Sequence, residues 1–184
     1  MSTMKVLICQ EIKNLVWEVR ERPVPGDNEA LIKIKTVGIC GTDIHAWAGN
    51  QPFFSYPRVL GHEICGEIIE SGKNIHNFNI GQQVAVIPYI SCQQCPACKS
   101  GRTNCCEKIS VIGVHQDGGF SEYLSVPVAN ILPADGIDPQ AAALIEPFAI
   151  SAHAVRRAAI APSEQVLVVG AGPIGLGAAA IAKA

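Results

Sequence analysis

The sequence predicts a mixed fold, a β-rich barrel or sandwich followed by the beginning of an α/β unit. Three observations carry this. The first two-thirds of the 184 residues hold short apolar runs closed by Gly, Pro or Asn. Composition turns Ala-rich and helical near Asp138. The last stretch, "QVLVVGAGPIGLGAAAIAKA", reads as a buried strand, a glycine turn and the start of a helix.

Taken in order, "EALIKIKTVGI" (29–39) alternates Ile32 and Ile34 with Lys33 and Lys35, the period of a half-buried strand. "HEICGEIIESG" (62–72), "QQVAVIPYI" (82–90) and "GGFSEYLSVP" (118–127) are further β-rich runs. Regular spacing of such strands predicts a barrel or sandwich. In "DPQAAALIEPFAISAHAVRRAAI" (138–160), Asp138 is placed as an N-cap with Pro139 at the first helical position. Pro147 breaks the pattern, so two helices are expected. Domain 1 is read as 1–140 and the second, incomplete domain as 141–184. No repeat or low-complexity tract interrupts either.

A net charge of −2 with 14 basic residues gives no footprint for nucleic acid or a membrane surface. No apolar run approaches the ~20 residues of a membrane span. The opening "MSTMKVLICQ" lacks a secretory pattern, so a cytoplasmic location is expected. In a reducing compartment, clustered cysteines are read as metal ligands or redox groups rather than disulfides.

Five of the eight cysteines fall between Cys92 and Cys106. Cys92, Cys95, Cys98 and Cys106 have the spacing C-x2-C-x2-C-x7-C, and four thiolates on one loop close a tetrahedral zinc shell. Such a shell leaves no position for substrate, so this zinc is structural. A ferredoxin-type cluster would need a shorter last spacing. A redox C-x-x-C pair would sit in a βαβ context, and a nucleic-acid finger would need a basic face. Cys105 competes with Cys106 for the fourth place.

A second ligand set is scattered. "GICGTDIH" supplies Cys40, Thr42, Asp43 and His45, and "GHE" supplies His62 and Glu63. A catalytic zinc takes about three protein ligands and keeps an open position. Cys40 and His62 are suitable, and Glu63 or Glu146 offers a carboxylate. The glycine turn has the form G-x-G-x-x-G at Gly170, Gly172 and Gly175, with Pro173 and Ile174 between. After a predicted strand and before a predicted helix, this is the dinucleotide-binding fingerprint. Gly170 permits the tight turn, Gly172 the approach to a pyrophosphate, and Gly175 close helix–strand packing.

The motifs "GICGTDIH", "PRVLGHEICGEI", "CQQCPACKSGRTNCC", "DGGFSEYL", "EPFAISAHAV" and "VLVVGAGPIG", in this order, resemble the zinc-containing medium-chain dehydrogenase/reductase family of alcohol and polyol dehydrogenases. The resemblance implies a GroES-like β-barrel catalytic domain followed by a Rossmann cofactor domain. It implies Cys92, Cys95, Cys98 and Cys106 as structural zinc ligands on a lobe spanning 92–106. It implies Cys40 and His62 at the catalytic zinc, with both Glu63 and Glu146 matching glutamates of that site. Thr42 matches the hydroxyl between substrate and a proton relay, and His45 the histidine that passes the proton to solvent. The implied reaction is hydride transfer from a secondary alcohol of a polyol or sugar acid to NAD, in a homo-oligomer.

Family members continue past the first βα unit. The acidic residue expected ~20 residues after the glycines falls beyond Ala184, so the sequence does not separate NAD from NADP. The chain is therefore expected to be part of a longer dehydrogenase, binding zinc without turning over alone. A parallel strand without sheet partners is a liability, so residues 166–184 are expected to be poorly ordered or paired with another chain. A non-enzymatic zinc-binding module is the competing reading, and a zinc-independent quinone-reductase-like member a third. Trp47, Phe53, Tyr56, His115 and Arg58 are candidate substrate contacts.

Overall fold

Alternation of apolar and polar residues sets a series of strands within the first 133 residues. The computed structural model describes residues 2–52 and 54–184. Phe53 lies outside the described residues. The chain divides into two units, Met1–Ala143 and Leu144–Ala184.

The first unit opens with a hairpin of β1 (Thr3–Glu11) and β2 (Asn14–Glu21), which sets Leu7 opposite Trp17. Next come β3 (Glu29–Gly38), helix α1 (Gly41–Ala48) and the short β4 (Arg58–Val59), which pairs with β1. β5 (Glu63–Ser71) and β6 (Gln83–Val86) follow, then β7 (Tyr89–Ile90), the single turn α2 (Pro96–Lys99) and β8 (Ser110–Val111). β9 (Tyr123–Pro127), β10 (Ile131–Pro133) and α3 (Pro139–Ala143) complete the unit.

β10, β6, β5, β3 and β9 lie in that order in one antiparallel sheet, with β2, β1 and β4 in a second and β7 and β8 in a third. The predicted runs at 29–39, 62–72, 82–90 and 118–127 all contain strands. Ile32, Ile64, Ile68, Val84, Ile112 and Val126 form the centre of the core. Lys33 and Lys35 face solvent as the alternation predicts. Leu31 and Ile32 are both buried where the register with β5 shifts between them. The outer face of β2 is apolar, with Trp17 71% exposed. With Ile39, Ile44 and Trp47 it borders a groove of about 660 Å³.

Asp138 caps α3 as predicted, its Oδ1 accepting from Gln140 N at 2.9 Å and Ala141 N at 3.2 Å. The helix break falls at Leu144 rather than at Pro147. Pro147 lies in the first turn of α4 (Ile145–Ala158), where its missing N–H breaks no intrahelical bond.

In the second unit α4 packs on α5 (Pro173–Lys183). Gly177 permits the approach, since a Cβ there would lie 2.7 Å from Ser151 Oγ. Ser151 Oγ also lies 3.0 Å from Ile174 O in the first turn of α5. Residues 173–183 form a helix packed on α4. The predicted strand "QVLVV" (165–169) is not one, because no strand pairs with it among the described residues. Leu167 and Val169 are 87% and 89% exposed. A parallel strand is held by its neighbours' ladder, and its apolar sequence does not replace them.

Candidate metal centres and cofactor turn

The ligand atoms of Cys92, Cys95, Cys98 and Cys106 all lie within 4.8 Å of one another. Local structure brings them there. Cys95 is the N-cap of α2, with Pro96 at its first position and Cys98 on its buried side. A 3-10 turn over Thr103–Cys105 then returns the chain to Cys106. Cys105 is exposed and Cys106 buried, which decides between the two adjacent thiols. Cys92 N and Lys108 N donate to Cys106 Sγ at 3.2 and 3.3 Å. Backbone N–H groups of Gln94 and Cys95 pull the Cys92 thiol down to about 6, whereas burial pushes Cys98 up to about 12. A metal binding this lobe must therefore displace a proton from Cys98.

The second cluster comes from sheet register. Gly38 at the end of β3 pairs with Glu63 at the start of β5, so the residues flanking the two strand ends become neighbours. Cys40, His62 and Glu63 place their ligand atoms within 4.8 Å of one another. Gly38 leaves room for the carboxylate, since a Cβ there would lie 2.0 Å from Glu63 Oε2. His62 and Glu63 are buried and Cys40 is half-buried. Glu146 is buried in the first turn of α4, in the second unit.

Asp43, singled out above without a role, is the organising residue. It is buried at the third position of α1, with Cys40 as N-cap. Its Oδ2 accepts from Cys40 N at 2.9 Å, and its Oδ1 accepts from Gly61 N at 3.1 Å and faces His62 Nδ1 at 3.6 Å. One carboxylate thus ties both ligand-bearing segments. Its signal was a carboxylate three residues after an N-cap, the spacing of a capping box. An Asp43→Asn variant retains one acceptor oxygen and turns an NH2 toward a backbone N–H. The unsatisfied buried donor is expected to cost about 1–3 kcal/mol. Zinc affinity at this cluster should fall roughly 10–100-fold. Chelator titration of zinc-loaded protein measures the second effect, and unchanged affinity counts against the role.

Burial lowers the His62 pKa, but the Asp43 carboxylate 3.6 Å from Nδ1 and the neighbouring Cys40 outweigh it and raise the group from 6.5 to about 10. The same contact with His62 holds the Cys40 thiol below its usual range. A raised folded-state pKa stabilises fully below about 6.5 and is lost as pH rises through about 10. The melting midpoint of metal-free chain should therefore decline across that window. Zinc needs the neutral imidazole, so its affinity here should rise over the same window. Parallel melting and zinc titrations at pH 6.5 and 9.5 test both signs; a flat melting midpoint would remove the His62 contribution.

Thr42 and His45 are three residues apart on α1 and both are exposed. Thr42 Oγ1 lies 3.4 Å from His62 Nε2. The other candidates have structural partners. Tyr56 Oη donates to Ala46 O beside the end of α1. His115 Nδ1 accepts from Val111 N at 3.0 Å, and Arg58 faces Asp117 at 3.6 Å. Trp47 lines the apolar groove, which includes Asp43 but none of Cys40, His62 and Glu63.

In the second unit the glycines adopt distinct geometries. Gly170 has φ 110°, and a Cβ on Gly175 would lie 2.0 Å from Gly170 O. Gly172 is the N-cap of α5, with Pro173 at the first position and open space where a side chain would be.

Residues 26–136 match the alcohol dehydrogenase GroES-like domain. The chain belongs to this alcohol dehydrogenase family. It is 89% identical over 184 residues to L-galactonate-5-dehydrogenase of Escherichia coli K12, covering 100% of this chain and 54% of that protein. The alcohol dehydrogenase rspB from E. coli CFT073, solved with NADH, superposes with a TM-score of 0.93 at 40% identity, covering 100% of this chain and 54% of the other. A protein from Sinorhizobium meliloti 1021 solved with NADP gives a TM-score of 0.94 at 36% identity, with the same coverages. The chain thus spans about half the length of the curated relatives it matches. No helix among the described residues is long and apolar enough to cross a membrane.

Proposed function

We infer that this chain supplies the catalytic domain and the first part of the cofactor domain of a zinc-dependent, NAD-linked dehydrogenase. Its substrate is a secondary alcohol of a polyol or sugar acid, with L-galactonate oxidised at C5. The observation carrying the reaction class is the Cys40–His62–Glu63 cluster. The substrate rests on the 89% identity to the E. coli L-galactonate-5-dehydrogenase.

The donor set suits zinc, with one sulfur, one imidazole nitrogen and one carboxylate oxygen. With Nδ1 facing Asp43, His62 offers Nε2 to the metal, the usual division of an imidazole between ligand and orienting carboxylate. Glu63 is the carboxylate we assign to the zinc. The cysteine lobe takes a second, structural zinc. A bound catalytic zinc would act as a Lewis acid on the substrate hydroxyl, and the nicotinamide would accept the hydride. Thr42 receives the hydroxyl proton, and His45, on the same side of α1, passes it to solvent. Gly170, Gly172, Pro173, Ile174 and Gly175 form the turn that admits the pyrophosphate, with the α5 N-terminus supplying N–H donors. The NADH and NADP bound in two relatives leave both dinucleotides as candidate acceptors, with NAD the first choice.

The alternative, a zinc-binding module that does not turn over, is favoured for the isolated 184 residues by the unpaired 165–169 segment. Fusion to the remaining length of the E. coli relative tests both readings. The fused protein should reduce NAD when given L-galactonate, and the isolated chain should not. A zinc-replete fusion inactive on L-galactonate overturns the substrate. One inactive on every polyol and sugar acid tried overturns the reaction class.

A further inference from the structure

The backbone that delivers His62 is held by a segment to which no role has yet been given. Val59, Leu60 and Gly61 lead directly into His62 and Glu63. All three of their carbonyls accept from one short stretch, Val59 O from Gly118 N at 2.8 Å, Leu60 O from Phe120 N at 2.9 Å and Gly61 O from Gly119 N at 2.8 Å. The N–H of Val59 donates to Asp117 Oδ1 at 3.0 Å. The N–H of Gly61 donates to Asp43 Oδ1. Thus the three carbonyls and the Val59 N–H of this tripeptide are bound by Asp117–Phe120, and the Gly61 N–H by the ligand-orienting Asp43.

We propose that Asp117–Phe120 is a positioning element for the zinc ligand His62, with Gly118 as the residue that makes its geometry attainable. A Cβ on Gly118 would lie 2.3 Å from Gly61 O, 2.6 Å from Leu60 O and 2.6 Å from Gly113 Cα. Every one of these atoms is backbone, so no flexible side chain can swing away. Relief must shift Gly118 against the backbone it holds or displace Leu60 and Gly61, and Gly61 is bonded to His62. Asp117 anchors the element from outside, its Oδ2 accepting from Arg20 Nη1 at 2.8 Å. Phe120 anchors the other end, its carbonyl accepting from Leu7 N of β1 at 2.8 Å. Metal sites tolerate displacements of only about 0.5 Å in their ligands, so a sub-ångström shift of this backbone is felt as lost affinity. The inference rests on the reading of Cys40, His62 and Glu63 as a zinc site.

The test compares Gly118→Ala with Gly72→Ala in the 184-residue chain. Gly72, just past β5, is a matched control whose Cβ would meet backbone atoms of Gly26 and Asp27 at 2.1 and 2.4 Å. Both variants should melt lower than the parent. Only Gly118→Ala should release zinc from the Cys40 cluster at least tenfold more readily to a competing chelator, with the cysteine-lobe zinc retained. The parent's release from the same cluster is identified by its disappearance in Cys40→Ser. Cobalt loaded at that cluster should also show altered ligand-field bands in Gly118→Ala and parent-like bands in Gly72→Ala. Zinc affinity within twofold of the parent in Gly118→Ala, or equal loss in Gly72→Ala, overturns the proposal. If Gly118→Ala does not fold, Asp117→Ala decides, by the same chelator release and the same limits. A parent whose zinc content does not change on Cys40→Ser overturns the metal-site reading itself, and this proposal with it.

Discussion

Replacing Cys40 by Ser is expected to reduce the zinc content from two per chain to one. The side chain keeps nearly its size at the half-buried N-cap of α1, so the fold should persist. What changes is the only thiolate in the set of Cys40, His62 and Glu63. A serine hydroxyl is a far poorer ligand at neutral pH than a thiol held below its usual range. Removing a direct ligand should exceed the ~10–100-fold loss in affinity that follows from disturbing a hydrogen-bonded supporter. In the fused enzyme, loss of Lewis-acid polarisation worth several kcal/mol corresponds to a turnover drop of roughly 10²–10³ or more. Elemental analysis and turnover are read on the same preparations. Two zincs retained in Cys40→Ser would exclude Cys40 as a ligand.

The second large effect belongs to Cys98→Ala. The cysteine lobe has little core of its own, since among the described residues the hydrophobic neighbours of Cys95, Cys98 and Cys106 are Cys92, Ala97 and Ile109. Its helix α2 has four residues, too few to persist without tertiary support. Structural zinc in comparable small sites contributes on the order of 10–16 kcal/mol of binding free energy, which here is also folding free energy. The variant should lose the lobe zinc and open the loop. Lys99 and Arg102, already exposed, should become rapid tryptic sites. The barrel core around Ile32, Ile68 and Val84 should survive, and so should the zinc that depends on Cys40. A Cys98→Ala protein that keeps two zincs and resists trypsin would show that the lobe does not depend on this thiol.

Local signals were legible where chemistry and conformation coincide within a few residues. The alternation Ile32-Lys33-Ile34-Lys35 marks its strand, and Asp138 with Pro139 marks a helix start. The cysteines declare a metal lobe by their spacing, although only burial separates Cys106 from Cys105 as its fourth member. Less was legible at the β1–β2 hairpin, whose Ile12-Lys13 turn lacks Asn-Gly or Asp-Gly and holds Lys13 at φ 62°. Helix α1 was hidden as well, because its N-cap is a cysteine rather than Ser, Thr, Asp or Asn. The "QVLVV" segment misled in the other direction. Its apolar run has strand character, but strand pairing is a property of neighbours that the described residues do not contain.

Residue types and their spacing say what kinds of group this protein carries. It holds thiols at zinc-lobe spacing, a glycine turn ahead of a helix, and a cysteine, a histidine and two glutamates of the right chemistry for a second metal. Which of those scattered groups meet depends on long-range strand pairing. The antiparallel register that sets Gly38 against Glu63 brings Cys40 to His62 across more than twenty residues of chain. Asp43, tied to Gly61 N, and Asp117, tied to Val59 N, acquire their roles only when such distant segments meet. Residue identity sets what a side chain can bind. Its distant partners are set by hydrogen bonds between segments far apart in the chain, which local patterns such as the capping box of Asp43 do not encode.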